Sequence, residues 1–290
     1  MLVYNAGMSI IPFLRKITPS KIKQIFRPVY YGLIDWLDPL RSSEDNLIPP
    51  KSLRMQIGWG DFKQIGEVIR QRLIESAGLK PDDRILDVGC GVGRIAIAIS
   101  DYLSEGGEYQ GFDIMGDAIR WCQKNISTRY ANFKFVHSDV YNGVYNPTGK
   151  IKAAEYRFPY PDDSFEVVIL TSVFTHMLPA ELENYLSEIA RVLKPGGRAL
   201  ITYYLINPEA LETMKTGSSS FNFQYQISAS CFYADKDHPE AAVAYEESYL
   251  RRLYADRGLA ICEPIDYGDW SRQELQKSRQ DVVLAVKGRA

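Results

Sequence analysis

Cysteine and histidine are scarce in this 290-residue sequence, which has four cysteines (Cys90, Cys122, Cys231 and Cys262) and three histidines. No CxxC pair occurs and no cysteine lies near a histidine at ligand spacing, so neither a metal site nor a disulfide framework is indicated. Cysteine used in this way is the pattern of a reduced, cytoplasmic protein. No apolar run approaches the length of a membrane span, and the N-terminus lacks the charged-then-apolar order of a signal peptide. Positive charge is not in excess either. The net charge of −2 gives no strong nucleic-acid signal, though it leaves room for a local basic patch. Internal repeats are absent. What is present is ordinary globular usage, 46% hydrophobic and 24% charged, over a length that suits one large domain or a domain with an appended piece.

The first stretch stands apart. IIPFLRKITPSKIKQIFRPVYYGLIDWL (10–37) carries Arg15, Lys16, Lys21, Lys23 and Arg27 and no acid before Asp35. Ile22, Ile25, Phe26, Val29 and Tyr30 recur at roughly helical spacing, and Pro12, Pro19 and Pro28 cut the run into short helices. Residues 1–50 read as a helical arm or lid folded over the main domain with its basic face in water. Peripheral contact of that face with an anionic membrane is the alternative. RSSEDNLIPP (41–50) is the linker. A helix is expected in DFKQIGEVIRQRLIESAGL (61–79), with Asp61 as its cap and Gly78–Leu79 as a left-handed stop.

From there the chain alternates. Strands are expected at 84–88, 108–114, 134–140, 165–173 and 197–205, with helices at 94–103, 116–127, 180–193 and 246–258. Two final runs, LAICEPIDYG and QDVVLAVKG, add a hairpin edge. The fold class is therefore α/β: a Rossmann-like, doubly wound, mostly parallel seven-stranded sheet with an antiparallel C-terminal hairpin, occupying residues 51–290. Insertions at about 141–163 and 207–245 leave from the carboxyl edge of the sheet, where ligands bind in open α/β folds, and are candidate lids.

ILDVGCGVGR (85–94) poses the chemical question. Its glycines, Gly89, Gly91 and Gly93, make GxGxG followed at once by Arg94. This is neither the GxGxxG of dinucleotide folds nor the lysine-bearing loop of nucleoside triphosphate sites. Asp87, just before the loop, would repel a pyrophosphate and attract an ammonium or sulfonium group. The alternative is a turn-former that bonds loop amides. Asp113 closes the second strand, where a carboxylate accepts both hydroxyls of an unmodified ribose. Asp139 closes the third, where it can accept from the exocyclic amine of adenine. Three acids along one edge suit an adenosine with a positive tail.

LDVGCGVGR, GFDI, HSDV, DDSFEVVILTSVFTHM and RVLKPGGRALITYY together resemble, in that order, the motifs of class I S-adenosylmethionine-dependent methyltransferases, over about residues 61 to 290. The resemblance implies S-adenosyl-L-methionine as cofactor. By it, Asp87, Gly89, Cys90, Gly91 and Arg94 face the methionine part and Asp113 the ribose. Ile114 packs on adenine, with Asp139 and Val140 at the adenine contact. Thr171 and Ser172 lie in the loop after strand four, beside cofactor and substrate. LIPPKSLRMQIG and YGDWS loosely resemble stretches of members that modify small molecules or sugars.

Methyl transfer is an in-line displacement in which alignment supplies about 7–11 kcal/mol, so no strong catalytic motif is required. The loop after strand four reads TSVF, not the Asn/Asp-Pro-Pro-Tyr run of amino-group methylases, and no Pro-Cys nucleophile appears. That leaves a hydroxyl on a small molecule as the expected acceptor. His176 in VFTHML is the candidate general base, with a turn-shaping role as its alternative. Tyr203 and Tyr204 end strand five, one expected toward substrate and the other in the core. Phe221, Phe223 and Tyr225 either wall an acceptor pocket or form the buried face of a hairpin. Rival readings are a protein or RNA acceptor docked by the basic arm, and a cofactor-binding partner subunit without catalysis. Oligomeric state is not readable from the sequence.

Overall fold

A computed structural model describes residues 32–38, 47–58, 60–217, 219, 221–271 and 280–289. The chain divides into two units, Met1–Trp59 and Gly60–Ala290. Most of the expected arm lies outside the described residues. Within the first unit a short helical turn, Lys51–Arg54, is tied down locally. The Asp35 carboxylate accepts from Ser52 N at 2.9 Å and from Ser52 Oγ at 2.8 Å, and Arg54 pairs with Asp38.

The second unit opens with α1 (Phe62–Gln71), whose Asp61 cap accepts from Gln64 N at 2.8 Å. Five residues of wider helical turn, Arg72–Ser76, extend it. Gly78, at φ +62°, then turns the chain so that Leu79 N reaches Leu73 O at 2.8 Å, the expected left-handed stop. Strands and helices follow in alternation: β1 (Arg84–Val88), α2 (Arg94–Ala98), β2 (Glu108–Asp113), α3 (Gly116–Asn125), β3 (Phe133–His137), β4 (Phe165–Leu170), α4 (Pro179–Val192) and β5 (Leu193–Tyr203). Helix α2 is half its expected length. Ser100 Oγ bonds back to Ile97 O at 2.9 Å, a side-chain competitor that helps end the helix.

The main sheet has the order β10-β11-β5-β4-β1-β2-β3, with β10 (Leu259–Ile261) and β11 (Asp281–Lys287) forming the antiparallel hairpin. The last strand lies inside, between β5 and β10, antiparallel to both. β1, β2 and β4 are buried along nearly their whole length, as strands covered on both faces must be.

The insertions are built differently from each other. Residues 141–163 return to the sheet as a core element. Val140 bridges to Ile151, Phe158 is 1% exposed, and Phe158 N donates to the buried Glu188 Oε2 at 2.7 Å. Residues 207–245 carry α5 (Pro208–Thr216) and most of a second sheet that the sequence reading did not contain. Its order is β6-β9-β8-β7, with β6 (Leu205–Ile206), β7 (Tyr225–Ser228), β8 (Cys231–Tyr233) and β9 (Val243–Glu246). Helix α6 (Glu247–Asp256) leads back to β10. Phe221, Phe223, Tyr225 and Ile227 alternate in the sequence as on a half-buried strand, but pairing begins only at Tyr225, and Ile227 is 45% exposed.

Candidate active site

The glycine loop joins β1 to α2 with Gly89, Gly91 and Gly93 all at positive φ (+79°, +54° and +73°). At Gly89 space also forbids a side chain, since a Cβ would lie 2.3 Å from Val173 Cγ2. The amides of this loop are engaged. Gly89 N and Cys90 N both donate to Phe112 O, at 2.9 and 3.1 Å, and Gly91 N donates to Asp113 Oδ2 at 2.7 Å. An anion cradle needs such amides to be available. Here a carbonyl and a carboxylate already hold the amides of Gly89, Cys90 and Gly91, which are therefore not free to cradle a phosphate.

Asp87 is fully buried on β1. Its Oδ2 accepts from Tyr109 Oη at 2.5 Å, while Oδ1 has no hydrogen-bond partner among the described residues. Burial pushes its pKa up to about 7, against the pull of the Tyr109 hydrogen bond and with a smaller push from Asp113. Asp113 closes β2 and is 7% exposed. Its two oxygens accept from Gly91 N and from Met115 N (2.8 Å), and burial raises its pKa. Each oxygen keeps a lone pair for a further donor. Asp139 stands two residues beyond β3, with its side chain 43% exposed and Lys150 Nζ 3.9 Å away. Asp87 and Asp113 are thus the buried pair, and Asp139 is the outlying third.

Other expected cofactor residues flank them. Cys90 and Val140 are buried, and Ile114 packs against the main core. Arg94 opens α2 with its guanidinium 5.3 Å over the Phe62 ring and its buried Nε without a hydrogen-bond partner among the described residues. Thr171 and Ser172 follow β4. Ser172 takes φ +57°, its N donates to Thr202 Oγ1 at 2.8 Å, and its Oγ donates to Gln280 at 3.0 Å.

His176 ends a short turn, Phe174–His176, after β4 and touches both insertions. Its Nδ1 lies 2.9 Å from Glu240 O, and its Nε2 lies 3.4 Å from Tyr145 Oη. A carbonyl only accepts, so Nδ1 carries the hydrogen and Nε2 presents a lone pair in the neutral ring. Burial lowers its pKa, which favours that neutral form at physiological pH. Glu240 also joins the insertions directly, its Oε2 accepting from Gly143 N at 2.6 Å.

The expected substrate residues separate. Tyr203 is corrected to the core: it is 0% exposed, its hydroxyl lies 2.7 Å from that of Tyr254, and its ring packs on Phe174. Tyr204, Phe221 and Phe223 join Trp270 in one aromatic cluster. Phe223 at 2% exposure and Tyr204 at 8% pack there instead of walling a cavity, because Trp270 covers both. Tyr225, half-buried, packs on Tyr233 across β7 and β8.

Tyr109, Tyr145 and Glu240 contact the candidate residues Asp87 and His176 but are missing from the sequence reading. Tyr109 had a signal. In the β1–β2 register Asp87 pairs with Gly111, so Tyr109, two residues earlier on the same face, reaches Asp87 over a position with no side chain. Tyr145 and Glu240 sit in loops, where spacing carries no such information.

A sheet of this order, with a glycine loop that cradles no phosphate and buried acids at the tips of β1 and β2, defines a class I, Rossmann-like methyltransferase. The chain belongs to that family: the family model described as "Methyltransferase domain" matches residues 79–258. It is similar to a tRNA N(3)-cytidine methyltransferase of Gallus gallus (30% identical, 47% of this chain, 34% of the relative). It is also similar to a demethylmenaquinone methyltransferase of Lysinibacillus sphaericus strain C3-41 (27% identical, 50% of each chain). The chain thus spans about a third to half the length of these curated relatives. A solved SAM-dependent methyltransferase of Methanosarcina mazei shares the fold, with TM-score 0.50 and 22% identity over 73% of this chain and 95% of that one. Family and fold imply S-adenosylmethionine as the cofactor. The residues present fit it: Asp87 offers an orphaned buried acceptor to a cation, and Asp113 keeps lone pairs for ribose hydroxyls.

Proposed function

We propose that this chain transfers a methyl group to a small-molecule acceptor, at a hydroxyl oxygen, with His176 as the general base. The observation that carries the proposal is the placement of His176, its Nδ1 on the Glu240 carbonyl and its Nε2 beside Tyr145 Oη, after β4 and between both insertions. S-adenosylmethionine, when bound, supplies a methyl carbon activated by its sulfonium. Asp87, Gly89, Cys90, Gly91 and Arg94 would hold its methionine part, Asp113 its ribose, and Ile114, Asp139 and Val140 its adenine, with Thr171 and Ser172 beside the acceptor. His176 Nε2 takes the hydroxyl proton as the oxygen becomes nucleophilic, and the ring leaves as imidazolium still bonded to Glu240 O. Tyr145, beside Nε2, is the first candidate for an acceptor contact, and the half-buried Phe221 and Tyr225 are further candidates.

A screen of hydroxylated small molecules, read as S-adenosylhomocysteine release, tests this. With an acceptor in hand, His176→Ala should lower turnover by about 10²–10⁴-fold while leaving S-adenosylhomocysteine affinity unchanged. Unchanged turnover dismisses His176 as base. Similarity to the tRNA N(3)-cytidine methyltransferase of Gallus gallus favours RNA as a second acceptor class, and methyl incorporation into RNA but into no small molecule would replace the proposal with that reading.

A further inference from the structure

Asp87 lies in unusual company. The titratable groups that face it are Tyr109 on β2, Asp113 at the end of β2, Cys90 in the glycine loop and Cys122 on α3. None of them is cationic. A buried carboxylate in such a place is ordinarily paired or saturated with donors. Asp87 has a single donor, Tyr109 Oη, and a second oxygen with none among the described residues.

The surroundings hold that geometry in place. Tyr109 stacks on Phe133 at 5.2 Å between centroids and packs on Phe135, so its ring is clamped on the far side. Gly111, level with Asp87 in the adjoining strand, leaves the gap: a Cβ there would lie 3.1 Å from the Tyr109 ring and 2.9 Å from Cys90 Sγ. Glycine at 111 therefore lets both the loop and the tyrosine close on the carboxylate.

We propose that Tyr109 and Asp87 form a proton-linked receptor for positive charge, in which Tyr109 is a positioning residue and Asp87 surrenders a proton to solvent when the ammonium-bearing tail of the cofactor arrives. The linkage rests on the cofactor reading above. Its charge balance is simple: neutral carboxylic acid and cation go in, carboxylate and cation stay, and one proton leaves to buffer. Before binding, burial without a countercharge favours the acid form. Afterwards the ligand provides the countercharge the protein lacks, and Tyr109 Oη keeps the carboxylate from turning away.

Calorimetry of the full chain, in buffer pairs of different ionisation enthalpy, tests the linkage without any methyl acceptor. Near pH 6, S-adenosylhomocysteine should release about one proton, and its Kd should tighten about tenfold per pH unit before levelling above about pH 7.5. Methylthioadenosine, which has the same nucleoside but no amino-acid tail, should release none. Asp87→Asn should bind S-adenosylhomocysteine more weakly, with a Kd that is flat across this range. Tyr109→Phe removes the hydrogen bond that favours the anion, so the break in the Kd curve should move to higher pH, with Kd at about pH 7 weakened about fivefold and methylthioadenosine binding unchanged. A merely structural tyrosine would not move that break. If Asp87→Asn fails to fold, the Tyr109→Phe curve decides. Binding of S-adenosylhomocysteine without proton release, or equal release by methylthioadenosine, overturns the linkage alone. No binding of either nucleoside overturns the cofactor reading and the linkage with it.

Discussion

Asp87 and Asp281 are the two most deeply buried acids among the described residues, and they are built in opposite ways. Asp281, at the head of β11, is saturated. Its Oδ2 accepts from Leu205 N and Trp270 Nε1, both at 2.7 Å, and its Oδ1 accepts from Gly268 N at 2.8 Å. It joins the last strand of the main sheet to the first strand of the small one and to the aromatic cluster. Asp87 has one donor and an orphaned oxygen. Burial dominates both, pushing Asp281 up to about 6 and Asp87 up to about 7. A carboxylate that serves the fold has its donors supplied by the fold. One that lacks them is positioned for something that arrives from outside.

The sharpest break in the comparison would come from stability. Asp281→Ala strands three buried donors and should cost about 3–5 kcal/mol in urea unfolding. Asp87→Asn keeps an acceptor for Tyr109 and replaces a carboxyl whose second oxygen has no partner among the described residues, and should cost less than about 1 kcal/mol. Equal losses would erase the distinction. Gly111→Ala, which drives a methyl group into Cys90 and Tyr109, should cost about 1–3 kcal/mol and weaken S-adenosylhomocysteine binding. Trp270→Phe keeps an aromatic ring but removes one donor to Asp281 and leaves a small void in the aromatic cluster, for about 1–3 kcal/mol. The last effect is a slope with pH instead of a single loss. Asp87's folded pKa of about 7 lies above its ordinary 3.8, so the folded chain binds that proton more tightly than the unfolded chain. Its contribution is full below about pH 4 and is lost as pH rises through about 7, by at most about 1.4 kcal/mol per pH unit. Subtracting the Asp87→Asn stability curve from that of the unmutated chain should isolate this fall.

The main sheet was legible because its inner strands β1 and β4 are buried apolar runs that alternate with helical periods, and GxGxG marks the turn after the first. Asp87 and Asp113 were legible as strand-end acids. The small sheet was not: its strands are two to four residues long, and exposed residues such as Ile227 break the alternation. Asp281 was invisible for another reason. Its donors come from Leu205, Gly268 and Trp270, brought together only by tertiary structure. The roles of Tyr203 and Tyr204 divided on strand parity, which places neighbouring side chains on opposite faces but does not say which face Trp270 will cover.

The placement of β11 between β5 and β10 has a consequence during synthesis. When β5 emerges from a ribosome, the strand that will pair with its outer side has not been made, and at about 5–20 residues per second it follows roughly 4–16 seconds later. Through that interval the apolar Ala199–Tyr203 run presents an unpaired edge able to pair with a neighbouring nascent chain. The yield of folded protein in a cell is therefore set partly by whatever shields that edge until its own partner arrives.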